Sequence, residues 1–271
     1  MTDLAVQRAC ALAAQALSAR PSGLITDLDG TISPIVSVPE EARVLPGCRR
    51  ALEALSRRLD AVAVVSGRSG GEAKRMLGVA GVLYLGNHGL DPWIGGDRPV
   101  SRDGRAHNGV RKALDELKAA LAGQADLRLE DKGATITIHY RAAADPAGAR
   151  SRALAAAAQS AGRHGLAVGE GKKVVELRPS RWAGKGAALE DLARDYGLRG
   201  LVYLGDDYPD LPAFDTLTRF RRADGLETLS IGVAGPEAPS ELADRADVTL
   251  TGPEQVEAFL AELAELLTDQ R

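Results

Sequence analysis

The sequence contains few of the residues that cross-link small secreted domains or bind metals through sulfur. It has only two cysteines, Cys10 and Cys48, in 271 residues, and both lie in patterns that predict helices. This wide spacing argues against a disulfide framework and against a zinc site, so we predict two buried, unpaired thiols. Aromatic residues make up only 4% of the chain. The core must therefore be built mainly from aliphatic side chains.

An excess of charge of one sign and long apolar runs are also missing. The net charge is −3 and no long basic run occurs, so neither nucleic acid nor an anionic membrane is an expected partner. No apolar run approaches the length that spans a bilayer, and the N-terminal stretch lacks the layout of a secretory signal. We expect a cytoplasmic monomer that acts on a small molecule.

Five short apolar runs, each followed by a loop of small or polar residues, predict strands that are buried on both faces. Helical patterns lie between them, and this alternation is typical of a doubly wound parallel sheet. In such folds ligands bind at the carboxyl ends of the strands. The five runs are residues 23–30, 61–69, 82–89, 201–207 and 228–234.

The stretch between Arg105 and Arg178 has a different pattern. In "ATITIHYR", residues 134–141, polar and apolar side chains alternate strictly, which predicts a half-buried strand. Two helical patterns accompany such strands, and the second is opened by Asp145 as cap and Pro146 as first residue. We therefore predict a small α+β domain inserted into the core. The predicted boundaries are 1–104 and 179–271 for the core and 105–178 for the insert, with connecting loops near 91–104 and 178–184.

Two aspartates, Asp27 and Asp29, stand directly after the first apolar run, in "LITDLDGTISP". Two unit charges about 4 Å apart repel by roughly 4 kcal/mol at an effective dielectric near 20, so the pair needs a compensating use. If Asp27 attacks a phosphorus atom, Asp29 can protonate the leaving alcohol and then activate water. Gly30 would let the chain turn sharply beside the ligand.

Charge compensation for this chemistry is available at other predicted strand ends. "LGDDYPD" supplies Asp206, Asp207 and Asp210, which are oxygen ligands of the kind that Mg²⁺ prefers. Lys185 opens a predicted helix, where its ammonium group suits a phosphoryl group. Ser66 and Thr31 add hydroxyl donors, and together these parts suffice for phosphoryl transfer.

In that order, "DLDGT", "VVSGR", "GKG" and "GDDYPD" resemble the four motifs of the haloacid dehalogenase (HAD) superfamily of phosphatases. Finer features, including "LEDKGATITIHYR" and "EGKKVVELRPSRWAGKGAAL", resemble its trehalose-6-phosphate phosphatases, which act in trehalose biosynthesis. The resemblance covers roughly residues 23–259. It implies a HAD-like core with a cap domain, and Mg²⁺-dependent hydrolysis of trehalose 6-phosphate through an aspartyl phosphate.

The resemblance also implies roles for particular residues, with Asp27 as nucleophile and Asp29 as general acid/base. Glu130, Lys132 and Glu176 would hold sugar hydroxyls. The full set of candidates has three groups. The catalytic and phosphate-binding residues are Asp27, Asp29, Thr31, Ser66, Gly67 and Lys185. The substrate-binding residues are Arg68, Asn87, His88, Glu130, Lys132, His139, Arg141, Glu176 and Arg178, and the Mg²⁺ ligands are Asp27, Asp29, Asp206, Asp207 and Asp210.

One departure from the family pattern lies in the fourth motif, where Pro209 precedes Asp210 and Leu211 follows it. The family commonly has Thr and Glu there, so a possible supporting carboxylate is missing. Three alternatives stay open at this point. They are a phosphatase of another phosphosugar or phosphosugar acid, a phospho-accepting signalling module, and a nucleotide-sugar transferase that holds its metal through DxD.

Overall fold

The computed structural model describes residues 3–36, 38–89, 91, 93–96, 105–131, 135–171, 173–179, 184–236 and 238–269. The chain forms two compact units. The first, the core unit, comprises Met1–Ser101 and Ala183–Arg271, and the second, the inserted unit, comprises Arg102–Trp182. None of the described helices is both long enough and apolar enough to cross a bilayer.

The strands and helices largely alternate along the core unit, whereas in the inserted unit each helix is followed by two strands. The strands are β1 Ser22–Thr26, β2 Ala61–Val65, β3 Leu83–Leu85, β4 Ile94–Gly95, β5 Arg128–Asp131, β6 Ile136–His139, β7 Leu166–Gly171, β8 Val174–Pro179, β9 Gly200–Gly205, β10 Glu227–Ala234 and β11 Val248–Thr251. The α-helices are α1 Leu4–Ser18, α2 Pro46–Ser56, α3 Gly70–Leu77, α4 Arg105–Ala120, α5 Pro146–His164, α6 Gly184–Tyr196, α7 Leu211–Arg219, α8 Leu242–Arg245 and α9 Gly252–Asp269.

The core unit is built on a seven-stranded sheet with the order β11-β10-β9-β1-β2-β3-β4. All neighbours pair in parallel except β3 and β4, which are antiparallel. The five predicted strands are confirmed. The sequence interpretation missed β11, whose pattern alternates, and β4, a two-residue strand within the predicted loop at 91–104. Neither has the continuous apolar run that marks a strand buried on both faces.

Helices cover both faces of this sheet because successive strand side chains point to opposite sides. Leu24 belongs to an apolar cluster with residues of α1, α2, α3 and α9, whereas its neighbour Ile25 packs with residues of α6 and α7. Cys10 and Cys48 are buried in the first cluster as free thiols, as predicted. Burial raises the pKa of each thiol to about 12, so both remain protonated apolar fillers.

The inserted unit has an antiparallel four-stranded sheet of order β5-β6-β8-β7. Ile136 and Ile138 of β6 pack with apolar residues of α4 and α5, as the alternation predicted. Helix α5 begins as expected, with the Asp145 carboxylate capping it and Pro146 in the first turn. One expectation fails: Thr137, on the polar face, is only 3% exposed, because neighbouring strands on both sides flank this central position.

Strand register brings the candidate motifs of the core unit to one edge of its sheet. Thr26, the last residue of β1, pairs with Val64 of β2 on one side and with Leu204 of β9 on the other. The residues that follow these strands therefore emerge side by side. The chain runs outward from β1 to β2 and β3, but from β9 to β10 and β11 in the opposite direction, so β1 and β9 form the topological switch point where such folds bind ligands.

Candidate active site

A buried ion network joins the ends of β1 and β9 to the start of α6. The Lys185 ammonium lies 2.9 Å from Asp27 Oδ1 and 2.7 Å from Asp210 Oδ1. All three groups are almost inaccessible to solvent, with 2% of the Lys185 surface and 6% of the Asp27 surface exposed. The sequence interpretation named each of these residues, and the fold brings them together although they are separated by up to 183 positions.

Asp206 lies in the same network and is held by a hydroxyl group. Thr31 Oγ1 donates a hydrogen bond of 2.9 Å to Asp206 Oδ1. Thr31 was predicted to bind phosphate, but its side chain is fully buried and its described partner is this carboxylate. Thr31 therefore orients a candidate metal ligand in this structure.

A divalent cation fits the chemistry of this cluster. Asp27, Asp206 and Asp210 each offer a carboxylate oxygen, and these atoms lie within 4.8 Å of one another. Three carboxylates against one ammonium leave an excess of negative charge, and hard oxygen donors are what Mg²⁺ selects. The cluster is smaller than the predicted ligand set. Both oxygens of Asp29 bind Arg68, and the exposed Asp207 caps the short 3₁₀ turn that follows it.

Burial and mutual repulsion control the protonation of the cluster. Burial raises the pKa of Asp27 well above its usual value, Lys185 opposes this, and Asp210 and Asp206 raise it further. Burial and then Asp210 raise the pKa of Asp206 to about 6. Burial alone would lower the pKa of Lys185, but Asp210 and Asp27 outweigh it and hold it above its ordinary value. Lys185 is therefore a permanent cation.

Asp29, the candidate acid/base, is held by an arginine from the end of β2. Arg68 Nε lies 2.7 Å from Asp29 Oδ2, and Arg68 Nη2 lies 2.8 Å from Asp29 Oδ1. This paired geometry fixes the plane of the carboxylate as well as its position. Arg68 was predicted to contact substrate, and here its described partner is Asp29. About a third of the Asp29 side chain is exposed, so solvent reaches this carboxylate.

The remaining candidates of the core unit form the loops after β2 and β3. Ser66 is buried and its Oγ accepts a hydrogen bond of 3.1 Å from the backbone N–H of Arg68, whereas Gly67 is exposed. Asn87 Nδ2 donates to Asp91 Oδ1 at 2.7 Å, which links the two loops because Asp91 also accepts from the Gly70 N–H. The side chain of His88 lies outside the described residues.

Gly30 allows the turn that follows Asp29 to lie in close contact with the Asp206 carboxylate. Its φ is +81°, and a Cβ built at this position would lie 1.9 Å from Asp206 Oδ2. Any side chain would therefore strain the backbone and displace the carboxylate. The predicted sharp turn at Gly30 is confirmed in the backbone conformation.

The inserted unit holds the candidates for sugar recognition on the polar face of its own sheet. Glu130 and Glu176 both pair in register with Thr137, so the three residues form one row across β5, β6 and β8. His139 Nε2 lies 2.5 Å from Glu130 Oε2. His139 and Arg141 line a cavity of about 640 Å³, and Arg178 is half-buried on β8. Lys132 lies outside the described residues.

Tyr203 is a component of the site that the sequence interpretation missed. Its hydroxyl lies 2.5 Å from Asp210 Oδ1, the same oxygen that contacts Lys185. Burial, and then the nearby Asp210 carboxylate, raise the pKa of Tyr203 well above its usual value, so the phenol remains a donor. The only sequence signal is that "LVYLGDD" contains one phenol in an otherwise apolar strand.

We predict that the stabilisation by Mg²⁺ increases as the pH rises. The folded-state pKa of Asp206 is about 6 against an ordinary 3.8, so the metal-free fold loses stability as the pH rises from about 4 through 6. A bound cation would remove this loss of roughly 3 kcal/mol. Thermal unfolding with Mg²⁺ or EDTA across this range tests the prediction, with Asp206→Asn as control. A shift in Tm with Mg²⁺ that is the same throughout contradicts it.

A model of the trehalose-phosphatase family matches residues 25–244, which include every candidate site residue. The chain belongs to the trehalose-phosphatase family. A trehalose-phosphate phosphatase of Mycolicibacterium paratuberculosis is 35% identical over 219 residues, which cover 75% of this chain and 53% of that protein. The chain thus spans about half the length of the curated trehalose-phosphate phosphatases that it matches.

Solved structures similar to this trehalose-phosphatase family member share its fold. Trehalose-6-phosphate phosphatase of Aspergillus fumigatus aligns with a TM-score of 0.68 at 23% identity, covering 95% of this chain and 97% of that chain. A haloacid dehalogenase-like hydrolase of Bacteroides thetaiotaomicron aligns with a TM-score of 0.58 at 15% identity, covering 92% and 100%. The predicted HAD-like α/β fold is therefore confirmed.

Proposed function

We propose that this chain is a Mg²⁺-dependent phosphatase that hydrolyses trehalose 6-phosphate to trehalose and phosphate. The observation that carries the proposal is the buried Asp27–Lys185–Asp210 network at the switch point of the sheet, beside the arginine-held Asp29. Membership of the trehalose-phosphatase family supports the reaction, and similarity to trehalose-phosphate phosphatases suggests the substrate.

In this proposal Asp27 is the nucleophile. One of its carboxylate oxygens forms a bond to phosphorus while the bond between phosphorus and the sugar oxygen breaks. Lys185 is in contact with Asp27 and keeps its charge, so it can neutralise a phosphoryl oxygen as that bond forms. The result is an aspartyl phosphate and a sugar alkoxide that must receive a proton.

Asp29 supplies that proton and later accepts one. In its protonated form it donates to the leaving sugar oxygen, and as the resulting carboxylate it takes a proton from the water that attacks phosphorus. The second displacement releases phosphate and regenerates the Asp27 carboxylate. Its partial exposure leaves Asp29 accessible to the leaving group and to water, and Arg68 fixes the plane of its carboxylate.

Asp27 and Asp206 have the carboxylates best placed to hold Mg²⁺, since the oxygens of Asp210 already accept four protein hydrogen bonds. When bound, the cation would supply positive charge that offsets repulsion between the carboxylates and a phosphate. Asp27 itself must be ionised to attack, and the charge of Lys185 favours that form.

Substrate choice is assigned to the polar face of the inserted unit. Glu130, Lys132 and Glu176 are proposed to bind sugar hydroxyl groups, since a polyol requires several donors and acceptors in fixed positions. His139 and Arg141, which line a cavity of the inserted unit, are proposed to add further polar contacts to the sugar.

The function is tested by phosphate release from a panel of phosphate esters, measured with Mg²⁺ and with chelator. We expect many turnovers per chain with trehalose 6-phosphate, a strong dependence on Mg²⁺, and poor activity on other sugar phosphates. A higher kcat/KM with another phosphosugar would replace the proposed substrate. A single stable phosphorylation per chain would indicate a signalling module instead.

The assignment of the sugar site makes a separate prediction for Glu176. Glu176→Ala should lower kcat/KM for trehalose 6-phosphate by about 10- to 100-fold, because sugar hydroxyls lose a charged acceptor. Activity on p-nitrophenyl phosphate, which has no sugar, should stay near that of the parent protein. Glu170→Ala is the matched control, because Glu170 is a glutamate of the same sheet, in β7, whose carboxylate already pairs with Arg150. Equal losses on both substrates would refute the assignment.

A further inference from the structure

Asp210 is the most completely hydrogen-bonded carboxylate of the candidate site. Its Oδ2 accepts from the backbone N–H groups of Asp206 and Asp207, each at 3.1 Å. Its Oδ1 accepts from the Lys185 ammonium at 2.7 Å and from the Tyr203 hydroxyl at 2.5 Å. A carboxylate has about four lone-pair sites, and protein donors fill all of them. Asp210 is therefore fixed in position, with Tyr203 as the only neutral side chain among its donors.

The surroundings of Tyr203 fix its hydroxyl in turn. The residue is fully buried in the middle of β9, and its ring packs edge-on against Phe214 of α7 with 6.0 Å between ring centroids. At Gly205, two residues further along, a Cβ would lie 2.3 Å from Asp210 Cγ, so only glycine lets the carboxylate reach the phenol. The position of Tyr203 in β9, its packing against α7 and the glycine at 205 together allow the hydrogen bond between Tyr203 and Asp210.

From this arrangement we infer that Tyr203 is a positioning residue for the phosphatase reaction, acting on Lys185 through Asp210. The inference rests on the proposed function, in which Lys185 neutralises the phosphoryl group. Oδ1 of Asp210 bridges the phenol and the ammonium, so the Tyr203 hydrogen bond sets where that oxygen lies. That oxygen in turn holds the ammonium 2.9 Å from the Asp27 nucleophile. The hydrogen bond described for Tyr203 goes to Asp210 and not to Asp27, and in this proposal Tyr203 does not contact the substrate.

Substitution of a positioning tyrosine should change the kinetic constants, whereas substitution of a tyrosine that only packs in the core should change stability alone. Tyr203→Phe keeps the ring and its packing but removes one donor from Asp210. The ammonium should then settle further from the position that suits the transition state, and kcat should fall about tenfold. KM for trehalose 6-phosphate should change little because the sugar contacts are untouched. The same loss of kcat should appear with p-nitrophenyl phosphate, since the effect concerns the phosphoryl group alone.

Tyr84→Phe is a closely matched control. Tyr84 is also fully buried in the core sheet, and its hydroxyl donates to the Val79 carbonyl at 2.9 Å and accepts from the Val79 N–H at 3.1 Å. Both substitutions should lower Tm by a few degrees through loss of a buried hydrogen bond. Only Tyr203→Phe should lower kcat. A Tyr203→Phe protein with the kcat of Tyr84→Phe would overturn the inference.

A second variant decides the question if Tyr203→Phe does not fold. Replacement of Tyr203 by p-aminophenylalanine keeps the ring and a weaker donor, so we expect a partial loss of kcat at unchanged KM. A kcat equal to that of the parent protein would refute the positioning role. Failure of the proposed function is distinguishable, because the parent protein itself would then release no phosphate from either ester.

Discussion

The Asp27→Asn protein should be inactive and yet at least as stable as the parent protein without metal. The loss of activity follows from the missing nucleophile, and we expect it to be on the order of 10⁴-fold or more. The stability follows from electrostatics. Burial, Asp210 and Asp206 all disfavour the charged form of Asp27, so a neutral amide of the same shape relieves repulsion, while Lys185 keeps its contact with Asp210.

Phosphate release and thermal unfolding in EDTA measure the two parts of this prediction. The combination is informative because most inactivating substitutions in a buried network also destabilise the fold. An unchanged rate of hydrolysis would mean that another group attacks phosphorus. A large drop in Tm would mean that the contact between Lys185 and Asp27 outweighs the repulsion among the three carboxylates.

Lys185→Met should instead lose both activity and stability. Methionine fills a similar volume but leaves Asp27, Asp206 and Asp210 without their buried cation. Removing one partner of a buried ion pair typically lowers the free energy of unfolding by about 3–5 kcal/mol. We expect that loss near neutral pH and a smaller one in acid, where Asp27 and Asp206, whose pKa values are raised, become protonated. Activity should fall by about 10³-fold or more, since the phosphoryl group loses a charged partner.

Lys74→Met is the control for this experiment, because Lys74 is an exposed lysine in α3 of the same unit. Urea unfolding of both variants at neutral and acid pH gives the free energies. If Lys185→Met and Lys74→Met have the same stability, the ammonium of Lys185 does not hold the carboxylates together. The contrast between Lys185→Met and Asp27→Asn therefore separates the structural role of the network from its chemical role.

The convergence of Asp27, Lys185, Asp206 and Asp210 could be predicted from the sequence. Each aspartate follows or lies just beyond a recognisable apolar strand, Lys185 opens a predicted helix, and the carboxyl ends of parallel strands share one edge of a sheet. The local signals were equally direct. Gly30 predicted the sharp turn, and Asp145 with Pro146 predicted the start of a helix. In each case a short stretch of sequence is enough to determine the backbone.

Contacts that depend on side-chain geometry between distant segments could not be predicted in this way. Arg68 and Asp29 are 39 residues apart, and nothing in their local patterns indicates that they pair. The hydroxyl group of Thr31 donates to Asp206, and that of Tyr203 donates to Asp210. Both contacts depend on strand register and on side-chain rotamers, which hydrophobic periodicity does not encode. The burial of Thr137 was missed for a similar reason, since alternation identifies a face but does not show how deeply its central residues are covered.

The claim on which the mechanism depends is that phosphorus becomes covalently bonded to Asp27. Borohydride reduces an acyl phosphate to the alcohol, so quenching the protein during turnover of trehalose 6-phosphate should convert this aspartate to homoserine. We predict that peptide mass spectrometry finds homoserine at position 27 only when both substrate and Mg²⁺ are present. Homoserine at a different aspartate or glutamate under these conditions would contradict the mechanism.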